Sequence, residues 1–291
     1  MTPYIAAQRL AKTFGRKRVL DDVSFRVEPG DVVGILGKNG AGKTTLLELI
    51  LGFTPPSSGS VQIFSHESFR MPGSARRRIG SVPQQDELLN PLSALDQLRV
   101  IASFYENWDS ELIDNLSRQW EIDLSERVKN LSVGQRQKLS ILLALGHRPD
   151  VLILDEPVAS LDPIARRQFM EQIVSIAADG ARSVIFSSHI VSDVERLANK
   201  IWILKDGRLS WQGELDVLKE SIVRVHVRSA APLAPDFTLP NALSINREEC
   251  HATAVLFDWK PHILKDVESQ LGAPVEIESL GLEDIFLELH R

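Results

Sequence analysis

The sequence contains a single cysteine and no long apolar run. Cys250 has no second cysteine to pair with, so an internal disulfide is excluded, which is typical of proteins in a reducing compartment. A membrane-spanning helix needs about 20 consecutive apolar residues, whereas the longest runs here, near residues 141–145 and 151–154, have the length of core segments. The first residues also lack the basic stretch followed by an apolar stretch that marks a secretory signal. We therefore expect a soluble, cytoplasmic protein.

Metal and nucleic-acid sites are not indicated either. Cys250 and the scattered histidines show no spacing typical of metal ligands. The net charge is −6, and the whole excess lies in residues 215–291, which hold 7 Lys and Arg against 13 Asp and Glu. Phosphate backbones attract positive charge, so this acidic end argues against nucleic acid as a partner. The one basic cluster, Arg76–Arg78, is interpreted as a solvated helix face.

Length and pattern indicate one large domain followed by a small one. Of the 291 residues, 43% are apolar and 25% charged, which is typical of soluble globular proteins. Short apolar runs at 32–36, 151–154 and 183–186 predict buried strands, and helix-period segments lie between them. Buried strands that alternate with helices predict a parallel α/β sheet. Alternating strands at 5–10, 19–20 and 23–27 come first, a helical insert covers about 85–150, and a hairpin is predicted at 201–211.

The last quarter of the chain predicts a second domain. Strands are expected at 222–227, 252–257 and 275–277, and helices at 214–219, 262–271 and 282–289. We place the domains at 1–213 and 214–291, the second being a small acidic α+β domain. Its size is marginal for independent stability, so we expect it to pack on the main body or on a copy of itself.

Gly37–Thr44 matches the pattern G-x-x-x-x-G-K-[ST] and stands between a predicted buried strand and a helix. Glycines let backbone N–H groups approach phosphate oxygens with no Cβ in the way, and the helix N-terminus adds partial positive charge. Lys43 is expected to reach the β- and γ-phosphates, and Thr44 to offer its hydroxyl to Mg²⁺. The predicted nucleotide-binding residues are Gly37, Lys38, Asn39, Gly40, Ala41, Gly42, Lys43, Thr44 and Thr45.

Two adjacent acids, Asp155 and Glu156, follow the buried strand at 151–154. An aspartate at a strand end near a phosphate site can hold Mg²⁺ directly or through water. The next carboxylate can polarise an attacking water. Such a pair can also be an ordinary solvated loop, and the nearby phosphate-binding pattern favours the functional interpretation.

Together these motifs resemble the ATP-binding subunits of ABC transporters over about residues 3–213. Leu131-Ser132-Val133-Gly134-Gln135 is similar to the LSGGQ signature of that family, with Val133 in place of a glycine, a change we expect to be tolerated. The other matches are Gln84 (or its neighbour Gln85) for the Q-loop glutamine, Asp162 for the D-loop, His189 for the switch histidine, and Phe14 for the aromatic residue that stacks on adenine.

The resemblance implies a P-loop ATPase fold with an antiparallel β part and a helical insert, and it implies residue roles. Glu156 would activate water and His189 would hold the γ-phosphate. Gln84 would sense Mg²⁺, which Thr44 and Asp155 also bind. Ser132, Gly134 and Gln135, with Asp162, would contact an ATP molecule held by the facing subunit.

At the level of function, the resemblance implies an ATPase that dimerises head to tail, with an identical or a different partner, and powers a separate membrane permease from the cytoplasmic face of the membrane. Leu282–Leu287 resembles the ending of ATPases that serve ABC-2-type exporters, and is equally consistent with an ordinary amphipathic helix. The helical insert is similar to that of the YtrB-like branch of that group.

The alternative is a soluble ATP-driven clamp of DNA repair or translation. The absence of heptad runs and the single ATP cassette speak against it. A regulator without hydrolysis is opposed by Asp155, Glu156 and His189.

Overall fold

The computed structural model describes residues 2–178, 180–234, 236–260, 268 and 275–290. The chain divides into two units, Met1–Gln212 and Gly213–Arg291. Every helix in the described ranges is too short or too polar to cross a bilayer.

The first unit contains an antiparallel sheet, a mainly parallel sheet and the helices between their strands. Its strands are β1 (Ile5–Phe14), β2 (Lys17–Val27), β3 (Val32–Leu36), β4 (Ser58–Ile63), β5 (His66–Glu67), β6 (Ile79–Val82), β7 (Val151–Leu154), β8 (Ser183–Ser188), β9 (Lys200–Lys205) and β10 (Arg208–Glu214, which runs into the second unit). Its helices are α1 (Lys43–Leu51), α2 (Gly73–Arg76), α3 (Ala94–Ala102), α4 (Ser110–Gln119), α5 (Val133–Leu145), α6 (Pro163–Ala177) and α7 (Val191–Leu197).

The larger sheet has the strand order β10-β9-β3-β8-β7-β6. Strands β9, β3, β8, β7 and β6 run parallel to their neighbours, so their carboxyl ends lie along one edge. β3, β7 and β8 are buried along their whole length, which explains their continuous apolar sequence. The predicted α/β fold with a parallel sheet is confirmed.

The smaller sheet is antiparallel with the order β2-β1-β4-β5. One continuous apolar cluster joins it to the parallel sheet and to α1, and includes Leu20 of β2, Ile35 of β3 and Leu46 of α1. α1 is thereby fixed by its buried side against both sheets. Gly34 of β3 allows α7 to approach, since a Cβ there would lie 2.4 Å from a side-chain carbon of Val194.

Some elements differ from the sequence prediction. The two short strands expected at 19–20 and 23–27 are one strand, β2, whose pairing with β1 is interrupted by shifts in register, with Asp22 at a φ of 55°. Such a bulge hides the period-2 pattern of a continuous strand. β4 and β6 were also not predicted from the sequence. β4 is exposed at four of its six residues, and β6 has only four residues.

The second unit contains a four-stranded antiparallel sheet of order β12-β13-β11-β14, formed by β11 (Val223–Arg228), β12 (Ala242–Glu248), β13 (His251–Leu256) and β14 (Val275–Ser279). Its helices within 213–260 and 275–290 are α8 (Leu215–Ser221) and α9 (Leu282–Leu289). Alternate residues of β11, Val223, Val225 and Val227, are buried in its own core. β12 was not predicted, because its sequence is largely polar. Apart from Glu268, the helix predicted at 262–271 lies outside the described residues.

Candidate functional site

The candidate site forms where the parallel strands end. Leu36 of β3 pairs with Ser188 of β8, and Val82 of β6 pairs with Leu154 of β7. Residues that come directly after these strands therefore meet at one edge: the loop after β3, Gln84 after β6, Asp155 and Glu156 after β7, and His189 after β8. Ligands of open α/β sheets bind at this edge.

A cavity of about 530 Å³ opens at this edge. It brings together the phosphate-loop residues, an aromatic side chain, an amide and two carboxylates. Its lining residues are Phe14, Lys17, Val19, Asn39, Gly40, Gly42, Lys43, Thr44, Thr45, Gln84, Asp155 and Glu156. Of the predicted loop residues, Gly37, Lys38 and Ala41 do not line it.

The loop after β3 has the backbone that its glycines permit. Gly40 and Gly42 have φ values of 80° and 107°, a region that residues with a Cβ rarely adopt. Gly42 directly precedes α1, so the free N–H groups of the first helical turn face the loop. Gly37 is needed for space, because a Cβ there would lie 2.7 Å from the carbonyl oxygen of Leu204.

The Lys43 ammonium is held inside the loop. Its side chain is 8% exposed, its Nζ donates to the Gly37 carbonyl at 2.9 Å, and Nζ lies 3.6 Å from Oε1 of Glu156. A cation so placed, next to the N-terminus of α1, makes this end of the cavity attractive to phosphate oxygens.

The two carboxylates are linked by a hydroxyl that the sequence analysis did not single out. Ser187 of β8 is fully buried. Its Oγ donates to Oδ1 of Asp155 at 2.5 Å and accepts from the backbone N–H of Glu156 at 2.8 Å. The sequence signal that could have found it is a serine directly after the apolar run at 184–186 of a predicted buried strand.

Glu156 has a strained backbone and two further contacts. Its φ is 51°, in the left-handed region. Its Oε2 accepts from the His189 backbone N–H at 3.2 Å and lies 2.7 Å from His189 Nδ1. A carboxylate oxygen only accepts, so Nδ1 carries the hydrogen in this pair. The carboxylate is thus oriented from both sides, with Lys43 on one oxygen and His189 on the other.

The cavity also offers a set of oxygen donors that fits Mg²⁺. Thr44 contributes a hydroxyl, Asp155 a carboxylate and Gln84 an amide oxygen, and all three line the same space. Mg²⁺ prefers oxygen ligands and binds through one or two carboxylates together with phosphate oxygens. Bound there, Mg²⁺ would neutralise charge on the phosphates.

At the other end of the cavity, Phe14 ends β1 and is 49% exposed. An exposed aromatic face next to a phosphate loop is suited to stack on a nucleobase. Lys17 and Val19 of β2 line the cavity beside it and were missed by the sequence analysis. Their position just after the turn that follows Phe14 was the available signal.

The remaining predicted site residues do not line this cavity. Ser132 caps α5, accepting from the Gln135 N–H at 3.3 Å, while the Ser132 N–H donates to Oε1 of Gln135 at 2.9 Å. Gly134 follows Val133, which is 67% exposed. Asp162 is exposed and caps α6, and hydrogen bonds from the N–H groups of Ala165 and Ile164 hold its pKa below its ordinary value.

An ion pair joins the segment that carries Gln84 to the helix that begins after Ser132. Arg136 of α5 donates to both carboxylate oxygens of Asp86, at 2.5 and 2.9 Å, and to Asn90. The hydrogen bond from Arg136 holds the pKa of Asp86 below its ordinary value. The loop after β6 and the start of α5 are therefore held together.

Comparisons with known proteins show the family of this chain. Residues 20–159 match the family model described as ABC transporter. The Nod factor export ATP-binding protein I of Cupriavidus metallidurans is 30% identical over 99% of this chain and 98% of its own length. The bacitracin transport ATP-binding protein BcrA of Bacillus licheniformis is 34% identical over 76% of this chain and 72% of its own length.

A solved structure described as the ATP binding subunit of an ABC transporter superposes with a TM-score of 0.69 at 29% identity, covering 75% of this chain and 92% of its own. These relatives are transport proteins, which supports the transporter interpretation over a clamp of DNA repair or translation. The chain belongs to the ABC transporter family, as an ATP-binding subunit and an ATPase.

Proposed function

We propose that this chain binds Mg-ATP between two copies arranged head to tail and couples its hydrolysis to export through a separate membrane permease. One observation carries the proposal. The cavity is lined by the phosphate loop, by Phe14 as the proposed platform for the base, and by both acids, but by no residue of the signature segment 131–135. Ser132, Gly134 and Gln135 stand instead at the start of α5, where Ser132 and Val133 are exposed. A second copy is the natural source of the missing half of the site.

In the proposed mechanism, the residues of one copy bind and orient ATP. Phe14 stacks on the base, while the loop N–H groups and Lys43 hold the phosphates. Glu156 accepts the proton of the attacking water, and the two contacts of its carboxylate keep it in place. His189, next to Glu156, would contact the γ-phosphate, and Thr44, Gln84 and Asp155 would hold Mg²⁺.

Export and membrane attachment rest on the relatives. The Nod factor and bacitracin proteins are named as export or transport ATP-binding proteins. We therefore place this chain on the cytoplasmic face of the membrane, bound to a permease that determines the substrate. The helical insert, α3 to α5, is the proposed docking region, and its link to Gln84 through Asp86 and Arg136 supports this.

The head-to-tail arrangement is tested with Glu156→Gln, which keeps the side-chain size but removes the base. We expect this variant to bind ATP within about threefold of the wild-type Kd and to lose at least about 100-fold in turnover, the usual contribution of a general base. With ATP it should run as a dimer in light scattering. Substantial residual ATPase activity would remove Glu156 from the base role.

The role of the signature residues in the dimer is tested by adding a second substitution to the Glu156→Gln variant. Glu156→Gln with Ser132→Arg should stay monomeric in ATP, because the added side chain occupies the proposed contact with the facing site. The matched control adds Val174→Arg instead, an exposed position near the end of α6, and should still dimerise. A monomeric Glu156→Gln variant, or a dimer that tolerates Ser132→Arg, contradicts the arrangement.

The permease is tested by affinity purification of the Glu156→Gln variant from native membranes in mild detergent with ATP, followed by mass spectrometry. Recovery of a polytopic membrane protein in matched amount supports the transporter function and identifies the chain that selects substrate. Recovery of ribosomes or nucleic acid, or of nothing from the membrane fraction, contradicts it.

A further inference from the structure

Lys12 is a buried cation close to the candidate site. It lies in β1 and is 7% exposed. Its Nζ donates to Oγ1 of Thr54 at 2.6 Å and to the carbonyl oxygen of Pro55 at 2.7 Å. In the described part of the chain, no carboxylate lies within ion-pair distance of this ammonium. Burying an ammonium without a counter-charge is costly, so a compensating role for Lys12 is expected.

The third neighbour of this ammonium is an aromatic ring. Nζ lies 4.8 Å from the centroid of Phe14, within the roughly 6 Å at which a cation is attracted to an aromatic face. The two residues are separated by one position in β1, so their side chains leave the strand on the same side. Thr54 and Pro55, which follow α1, hold the ammonium from the other direction.

We infer that Lys12 is a positioning residue for the nucleobase, acting through Phe14. This rests on the proposed role of Phe14 as the base platform. The ammonium covers one face of the ring, which leaves the opposite face for a base. It also restrains the orientation of a side chain that is half exposed, so less freedom is lost when the base binds.

The charge also changes the ring electronically. A cation on one face draws π-electron density toward itself, so the opposite face repels the π-electrons of a stacked purine less. Lys12 therefore acts on the base and not on the phosphates. Its effect should be absent for a ligand that carries a triphosphate and no base.

The test measures Mg²⁺-dependent binding of ATP and of inorganic triphosphate to the full chain by calorimetry. Lys12→Met keeps the length of the side chain and removes the charge. We expect the Kd for ATP to rise about five- to tenfold and the Kd for inorganic triphosphate to stay within twofold. In steady-state ATPase assays the KM should rise with kcat unchanged, and Lys12→Arg should restore the wild-type KM.

Phe14→Leu makes the test specific for the route through the ring. Alone it should weaken the binding of ATP and leave the binding of triphosphate unchanged. Adding Lys12→Met to it should cause no further loss of affinity for ATP. If Phe14→Leu leaves ATP binding unchanged, the platform role is wrong and the inference falls with it. If Phe14→Leu weakens ATP binding but Lys12→Met does not, the platform role of Phe14 is retained and only the inference about Lys12 is overturned.

Equal losses of affinity for ATP and for triphosphate in Lys12→Met would indicate a general structural role and overturn the inference. Should that variant fail to fold, Thr54→Val replaces it, since it removes one anchor of the ammonium and keeps the charge. It should then raise the Kd for ATP two- to threefold and leave the Kd for triphosphate unchanged. An unchanged Kd for ATP in that variant would also overturn the inference.

Discussion

The removal of the Ser187 hydroxyl is the sharpest test of how the two carboxylates are held. Ser187→Ala leaves the backbone and packing of β8 in place and deletes a single oxygen atom. That atom makes two contacts, as a donor to Asp155 and as an acceptor from the Glu156 N–H. Both partners lie in the candidate site, so one substitution disturbs the proposed Mg²⁺ ligand and the proposed base together.

The expected loss of stability follows from these two contacts. A hydrogen bond to a charged group contributes about 1.5–3 kcal/mol, and a buried donor left without a partner costs about 1–3 kcal/mol. The Glu156 N–H is only partly buried and water can reach it in part, so the two terms do not add fully. We expect Ser187→Ala to lower the free energy of unfolding by about 2–4 kcal/mol.

The loss of activity should exceed what the loss of stability explains. The backbone of Glu156 is held at a positive φ partly by this hydrogen bond, and a displacement of about 1 Å at a reacting group can lower the rate about 100-fold. We expect kcat to fall about 10- to 100-fold in ATPase assays at a temperature where the variant is fully folded.

Ser188→Ala is the matched control, because Ser188 is also buried in β8 and, among the described residues, its hydroxyl hydrogen-bonds only with Ile190. It should cost about 1 kcal/mol in urea unfolding and leave kcat within about threefold. If Ser187→Ala and Ser188→Ala are indistinguishable in both assays, the hydroxyl does not hold the carboxylates and the reasoning is refuted.

Three further outcomes are expected. Gly42→Ala should abolish ATP binding in calorimetry, because φ is 107° and the new Cβ would lie 2.9 Å from a methyl carbon of Leu20; wild-type affinity would contradict the loop geometry. Val133→Gly should leave ATPase activity within about threefold, since Val133 is exposed at the start of α5 and glycine there costs under about 1 kcal/mol; a loss beyond tenfold would show that the valine matters. Burial lowers the pKa of His147 below its ordinary 6.5, against the raising effect of its hydrogen bond to Ile79. The unfolded chain then binds the proton more readily, so stability is full above about pH 6.5 and falls below it, and the wild type should lose more stability than His147→Gln between pH 7.5 and 5.5 in urea titrations. Equal losses of stability in the wild type and in His147→Gln would contradict a lowered pKa of His147.

The parallel sheet could be predicted because its strands are buried on both sides. Continuous apolar runs such as Val32–Leu36 and Val151–Leu154 strongly favour buried strands when a glycine loop or two acids come directly after them. Parallel strands also bring the residues after their carboxyl ends to one edge of the sheet, so the meeting of the phosphate loop with Asp155 and Glu156 is set by the chain order. No long-range contact has to be guessed for this part of the site.

The strands and site residues that could not be predicted depend on contacts that leave no local pattern in the sequence. β4 and β12 are stabilised by pairing with neighbours, and their polar side chains resemble loop sequence. Lys12 and Ser187 would be assigned to an ordinary strand, since only the folded chain brings the ammonium to Thr54 and Pro55 and the hydroxyl to Asp155. Buried polar groups of this kind act through their partners, and these partners lie 32 to 43 positions away in the chain.

The signature residues pose a different problem, because their local chemistry is already satisfied. Ser132 and Gln135 cap α5 reciprocally, and a helix that begins there gains from such a pair whether or not a nucleotide binds. A loss of stability in Ser132→Ala, about 1 kcal/mol for a lost cap, therefore says nothing about ATP. Only an effect on the ATP-dependent dimer that exceeds the effect on the monomer's unfolding separates the two roles. Because Ser132 is exposed and the cap is made by one hydroxyl, Ser132→Thr retains the cap and adds a methyl group to the proposed contact. It should weaken the dimer and leave the monomer's stability unchanged.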